Sequence, residues 1–212
     1  MFEYYPTLKN IFLLLACNPS YPSVDWKEFL KFIDQCAFID ENATMHEIDR
    51  AFVATNIELE KLDENPDREL CRFEFLEIIT RIGIIKYFDS KICSTYSAAV
   101  YKVVTEDVLP RAPSAKEFYE DYRFANIYNI EIDELFKTNL SSLEKLYRNN
   151  KTVVGVHIDK ITEIVEKGEI NLDENEIIYC FAHSKMTVVD EMQEGNNIHF
   201  IQLVPRLMLL SY

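Results

Sequence analysis

Apolar positions recur at helical spacing along most of the chain. Trp26, Phe29, Leu30 and Ile33 mark one helix, the polar stretch DENAT interrupts it, and Ile48, Phe52 and Thr55 mark a second. Further on, FEFLEIITRIGIIKYF carries Phe73, Leu76, Ile79 and Ile82 as a stripe broad enough to be buried on more than one side. The spacing predicts helix–turn–helix twice over.

The C-terminal part echoes this order. Ile158, Ile161 and Val165 answer the first helix, INLDEN answers the polar break, and NEIIYCFAHSK answers HEIDRAFVATN, which sets Phe181 opposite Phe52. FIQLVPRLMLL then stands where FEFLEIITRIG stood, with Phe200 opposite Phe73 and Leu203 opposite Leu76. Pro205 falls inside that last helix, either in its first turn or as a kink. Between the echoes, Tyr96, Val100, Val103, Val104 and Val108 suit a helix ending near Pro110. Ile132, Leu135, Phe136, Leu143, Leu146 and Tyr147 suit a longer one. PRAPSAKEF, with two closely spaced prolines, is the best candidate boundary. The expected architecture is all-α: an N-terminal lobe over residues 1–92, packed connector helices over 93–149, and a C-terminal lobe over 150–212.

One loop carries candidate chemistry. Residues 63–74, DENPDRELCRFE, fit the calcium-loop template D-x-[DN]-x-[DN]-G-x₅-E at every fixed position except the glycine. Asp63, Asn65 and Asp67 stand where side-chain oxygens would meet Ca²⁺, Glu69 where a backbone carbonyl would, and Glu74 where a bidentate carboxylate would close the shell. Arg68 takes the sharp turn that glycine allows freely, and brings a cation beside the ion's place. Two readings follow: a solvated acidic loop, or a low-affinity Ca²⁺ site.

If loops of this kind pair, four are expected. Phe38–Asp49 would be the first, with an apolar residue at its opening position. Ile170–Phe181 would be the third, with Ile and Phe at its two main ligand positions. The loop from Asp190, DEMQEGNNIHFI, would be the fourth, with Met192 and Ile201 where oxygens are required. None of the three has the ligands for Ca²⁺.

Composition narrows the function. The net charge of -14 speaks against sequence-independent nucleic-acid binding, which needs clustered Lys and Arg. The apolar run Ile11–Cys17 is too short to span a bilayer and lacks a basic stretch before it, which predicts a cytoplasmic protein with no membrane partner. Five widely spaced cysteines without a C-x-x-C pair predict reduced, mostly buried thiols.

His46, His157, His183 and His199 are scattered, and no nucleophile elbow, zinc-protease, P-loop or dinucleotide motif is present. Cys180 and His183 share a predicted helix face, but the orienting third group is missing. A non-enzymatic chain is expected.

LCRFEFLEIITRIG, the preceding AFVATN and the later CFAHSKMTVVDEM resemble the degenerate EF-hand repeats of ciliary and flagellar axoneme proteins, over about residues 24–88 and 150–210. The strongest element of the resemblance is Phe73, Phe75, Leu76, Glu77, Arg81 and Ile82. Among proteins of that kind are inner components of doublet microtubules. The resemblance implies two degenerate EF-hand lobes and a structural, microtubule-associated role, with tubulin or other axonemal proteins as partners and no required cofactor.

Tubulin is itself acidic, so net charge cannot drive that contact. Exposed aromatics such as Tyr96, Tyr101, Tyr119, Tyr122 and Tyr128 would serve as anchors if they are not core. A local basic patch, Lys137, Lys145, Arg148 and Lys151, would serve too, unless it only complements a helix C-terminus. The alternative is a calcium-responsive sensor whose N-terminal lobe grips a target helix.

Overall fold

Short helices with one apolar face cannot stand alone in water, so each must find a partner face. In the computed structural model, which describes residues 2–57, 68–112, 128–153, 155–184 and 197–198, they do so in two units. One comprises residues 1–16 and 23–115, the other residues 17–22 and 116–212. The stretch 93–149, read from the sequence as a connector, is thus divided between them. The described chain is mostly helical, and none of its helices is long and apolar enough to cross a membrane.

The first unit begins with a 3-10 turn, Phe2–Tyr4, and α1 (Tyr5–Ala16), which buries Leu8, Ile11, Phe12, Leu15 and Ala16. A two-residue strand, β1 (Val24–Asp25), leads into α2 (Trp26–Gln35), whose first turn is capped by the Asp25 carboxylate on the Glu28 N–H at 2.7 Å. α3 (Met45–Thr55) starts with a reciprocal capping box between Thr44 and Glu47. β2 (Glu69–Leu70) precedes α4 (Arg72–Gly83), which runs on through π-helical turns, Ile84–Asp89.

β1 and β2 pair antiparallel, Val24 opposite Leu70 and Asp25 opposite Glu69. Helix composition gave no hint of this pairing. It ties the entry to α2 to the entry to α4, so the two helix–loop–helix segments are α1–α2 and α3–α4.

That register corrects the expected first loop. Phe38–Asp49 is no ion loop but the link from α2 to α3. Phe38 is fully buried with its ring 5.5 Å from that of Phe32, and Asp40 accepts from the Asn42 and Ala43 N–H groups at 2.7 and 3.1 Å. A buried ring at the opening position leaves no room for solvent-accessible oxygens.

Linked rings fill the space between the four helices. Trp26 meets Phe52 at 4.6 Å, Phe52 meets Phe29 at 5.5 Å, Phe32 meets Phe75 at 5.4 Å and Phe75 meets Phe12 at 5.7 Å. Rings of this size, fully withdrawn from water, contribute most of the unit's apolar burial.

α5 (Tyr96–Lys102) continues through a second π-helical segment, Val103–Val108, into α6 (Leu109–Arg111), and packs on α4. The crossing is close: a Cβ on Gly83 would stand 2.7 Å from Val103 Cγ1 and 3.1 Å from the Ala99 carbonyl.

The second unit repeats the design. α7 (Ile130–Asn150) precedes β3 (Val156–His157), α8 (Ile158–Lys167) and α9 (Glu174–Ser184), and β4 (Asn197–Ile198) pairs antiparallel with β3. α8 matches α2 in length, with Ile161 and Val165 buried where Phe29 and Ile33 are. α9 matches α3, burying Ile177 and Phe181 where Ile48 and Phe52 lie.

Even the caps correspond. α2 ends on left-handed Ala37 (φ 52°), with the Phe38 N–H returning to the Ile33 carbonyl; α8 ends on left-handed Glu169 (φ 56°), with Ile170 returning to Val165. Asp173 and Glu176 cap α9 reciprocally, both bonds 2.8 Å. Ile170–Phe181, the expected third loop, is therefore partly the α8–α9 link and partly α9 itself. The expected fourth loop lies outside the described residues apart from β4.

Candidate functional site

Of the predicted calcium-loop residues, Asp63, Asn65 and Asp67 lie outside the described residues. Glu69 and Glu74 are described, and both carboxylates are engaged within the protein. Glu74 sits in the first turn of α4, only 2% exposed, and one of its oxygens accepts from both the Cys71 N–H and the Cys71 thiol at 2.9 Å each. Glu69, on β2, accepts a hydrogen bond from the Ser23 hydroxyl, which precedes β1.

Both links brace the same strand pair. To coordinate Ca²⁺, Glu74 would have to give up charge-assisted hydrogen bonds of about 1.5–3 kcal/mol in a site where the freed N–H is buried. Among the described residues no group of three or more His, Cys, Asp or Glu stands ready to hold a metal ion.

Arg68 adopts φ 73°, the left-handed conformation that the missing glycine would take without strain, and its N–H donates to Asn56 Oδ1 at 3.0 Å. The turn keeps its backbone path even though the glycine is gone. Counted from the matching strands, Val24-Asp25-Trp26-Lys27-Glu28 lines up with Leu70-Cys71-Arg72-Phe73-Glu74. An apolar residue, a cap and a glutamate three places after the cap form the sequence signal that would have located the first loop correctly. On the same count from Leu70 and Ile198, Gln202 rather than Ile201 takes the place of Glu74 in the second unit.

A second polar site was invisible in the sequence. Lys86, 5% exposed, donates to the Ala37 carbonyl at 2.9 Å and lies 3.2 Å from an Asp40 oxygen and 3.5 Å from an Asp107 oxygen. The Tyr87 hydroxyl donates to Asp107 at 2.6 Å, and Arg111 reaches the other Asp107 oxygen at 3.0 Å. Lys86 and Tyr87 come from one π-helical segment and Asp107 from the other, where the wider turn re-aims side chains.

The environment shows in the titrating groups. Burial, followed by the Asp107 hydrogen bond, raises the Tyr87 phenol. Burial, with Asp107 beside it, pushes the Cys36 thiol up to about 12. Burial works against the Asp40 carboxylate, but hydrogen bonds from the Asn42 N–H and the Lys86 ammonium outweigh it and hold it below the ordinary range. The site is a structural clasp between the α2–α3 link and the α5–α6 arm.

The candidate contact surface is aromatic. Tyr96, Tyr101 and Tyr128 are 59%, 58% and 53% exposed, and Tyr119 and Tyr122 lie outside the described residues. In the first unit Tyr96 stacks on Phe88 with centroids 4.1 Å apart, and Phe73 is 63% exposed. A groove of about 430 Å³ runs between α3 and the end of α4, floored by Ala51, Ala54, Ile84 and Ile85.

The basic patch on α7 is largely used up locally. Lys137 pairs with Asp133, Arg148 with Glu144 at 3.0 Å, and Lys151 lies over the Tyr147 ring. In the second unit burial pushes the Cys180 thiol up to about 11, the opposite of what a thiolate nucleophile needs.

No protein-family model, curated protein or solved structure matches this chain.

Proposed function

We propose that the chain is a non-enzymatic structural adaptor built on calcium-independent, degenerate EF-hand pairs, and that it acts as a microtubule-associated component of a ciliary or flagellar axoneme. The observation that carries this reading is the β1–β2 pairing with both candidate carboxylates turned inward, Glu69 to Ser23 and Glu74 to Cys71. A loop pair closed by its own side chains gives an ion little differential purchase, and a ligand that binds two states equally shifts neither. A fixed spacer is what such a lobe suits. The exposed Phe73, Tyr96 and Tyr101 supply large rigid contact area for a partner as acidic as tubulin, where net charge cannot help.

The axonemal setting rests on the resemblance of the LCRFEFLEIITRIG helix. Cosedimentation with microtubules or axonemal extract tests it. Retention that survives moderate salt is expected, and a protein that stays in the supernatant and away from cilia in cell images would sink the tubulin part.

The second reading, a calcium-responsive sensor, is favoured by Arg68 keeping the left-handed turn. Calorimetric heat on adding Ca²⁺, abolished in Glu74→Gln, would establish it. Silence at millimolar Ca²⁺ is what the adaptor predicts.

A further inference from the structure

In the first unit α1 is withdrawn from water because α4 covers it: Leu8, Ile11 and Leu15 are at most 8% exposed, Phe75, Ile79 and Ile82 are fully buried, and the Phe12 and Phe75 rings meet at 5.7 Å. The second unit has the strand pair and the two following helices in matching form, yet α7 buries no side chain. Counted back from the matching strand residues Val24 and Val156, Leu8, Ile11 and Leu15 fall on Leu140, Leu143 and Tyr147. Leu140 is 42% exposed, and Leu143 and Tyr147 are half-buried. This is an apolar stripe at helical spacing with no cover among the described residues.

The chain itself contains the matching cover. Counted forward from the strand partners Leu70 and Ile198, Phe75, Ile79 and Ile82 fall on Leu203, Leu207 and Leu210. Residues 199–212 lie outside the described part, and they follow directly on β4. The two interruptions of the apolar pattern are complementary as well. Glu144 stands where Phe12 stands, and Arg206 stands where Ile78 stands, one turn beyond Phe75.

An apolar contact in one unit is thus replaced by opposite charges in the other, which is what a retained face-to-face packing requires. We propose that the occupant of the α7 stripe is the segment Leu203–Leu210 of the same chain. Leu203, Leu207 and Leu210 then lie against Leu140, Leu143 and Tyr147, and Arg206 faces Glu144. α7 is thereby the first helix of the second lobe rather than a connector.

This inference rests on the paired-hand reading above, and hydrogen exchange on the full chain separates the two. Leu207→Asp is expected to lower amide protection in Leu140–Tyr147 by about tenfold or more while leaving α1 unchanged. Glu144→Arg and Arg206→Glu should each weaken it, and the double exchange should restore it. Phe75→Ala serves as the matching change in the first unit and should deprotect α1.

Deprotection of α1 by Phe75→Ala with α7 indifferent to Leu207→Asp would overturn this inference and leave the paired-hand reading standing. Indifference in both units would overturn both. Protection of α7 that vanishes on dilution, with a halving of the mass by light scattering, would assign the stripe to a second copy and overturn the proposal.

Discussion

The Glu74 carboxylate and the Cys71 backbone N–H lie 2.9 Å apart, joined across the first turn of α4. The residue that would close a calcium shell instead closes a helix end. Replacing it with Gln keeps an acceptor but loses the charge, and should cost about 1 kcal/mol; Ala leaves a buried N–H unsatisfied and should cost about 1–3 kcal/mol. Urea unfolding should give the same losses with and without Ca²⁺. A loss that appears only with Ca²⁺ present would mean that the carboxylate serves the ion.

Arg68 holds φ 73° without a glycine's freedom. Arg68→Gly should therefore stabilise the first unit by about 1 kcal/mol, since a left-handed residue with a Cβ carries a steric penalty of that order. An unchanged or lower urea midpoint would show that the Arg68 side chain contributes more than its backbone strain removes.

Asp107 is 4% exposed and faces the Lys86 ammonium, the Tyr87 hydroxyl and the Arg111 guanidinium. Asp107→Asn leaves a buried cation without its counter-charge, which costs about 3–5 kcal/mol. Tyr87→Phe removes one hydrogen bond and should cost about 1–2 kcal/mol. Thermal unfolding ranks the two, and an equal or reversed order would refute the clasp.

Asp40 titrates below the ordinary carboxylate range in the folded chain. A depressed folded pKa adds stability above the unfolded value and loses it as pH falls through the folded one. Urea stability should therefore drop on acidification less steeply in Asp40→Asn than in the native chain. The difference should be modest, because Asp40 is partly open to solvent.

Gly83 has an ordinary helical backbone, so its value is space. Gly83→Ala must push Val103 or the Ala99 backbone aside and should cost about 1–3 kcal/mol. Gly83→Ser should cost at least as much. A Tm unchanged by either would mean that α5 shifts freely on α4.

Much of the helical layout was legible in the sequence, because helical period is a local property. Phe29 with Ile33, and Ile48 with Phe52, announce their buried faces by spacing alone, and the echo in Ile161, Val165 and Phe181 follows from the same rule. The candidate loop was legible only as a list of oxygens. Nothing in DENPDRELCRFE says that Glu74 turns back to Cys71 or that Glu69 reaches Ser23, since those partners are chosen by the strand register. Phe38 misled for a similar reason: an aromatic in a polar stretch looks like a spoiled ligand position until the core that receives it is known.

The sequence by itself determined which stretches coil into helices, which faces are greasy, and that two parts of the chain follow one plan. Those are statements about neighbours a few residues apart, and short-range sterics and solvation suffice for them. Only the tertiary structure decided that Val24 meets Leu70, that α1 rather than α2 opens the first helix–loop–helix segment, and that Lys86 is buried among Asp40, Asp107 and the Ala37 carbonyl. Contacts between residues far apart in sequence depend on how whole faces fit together, and the geometry of that fit is written in no single segment.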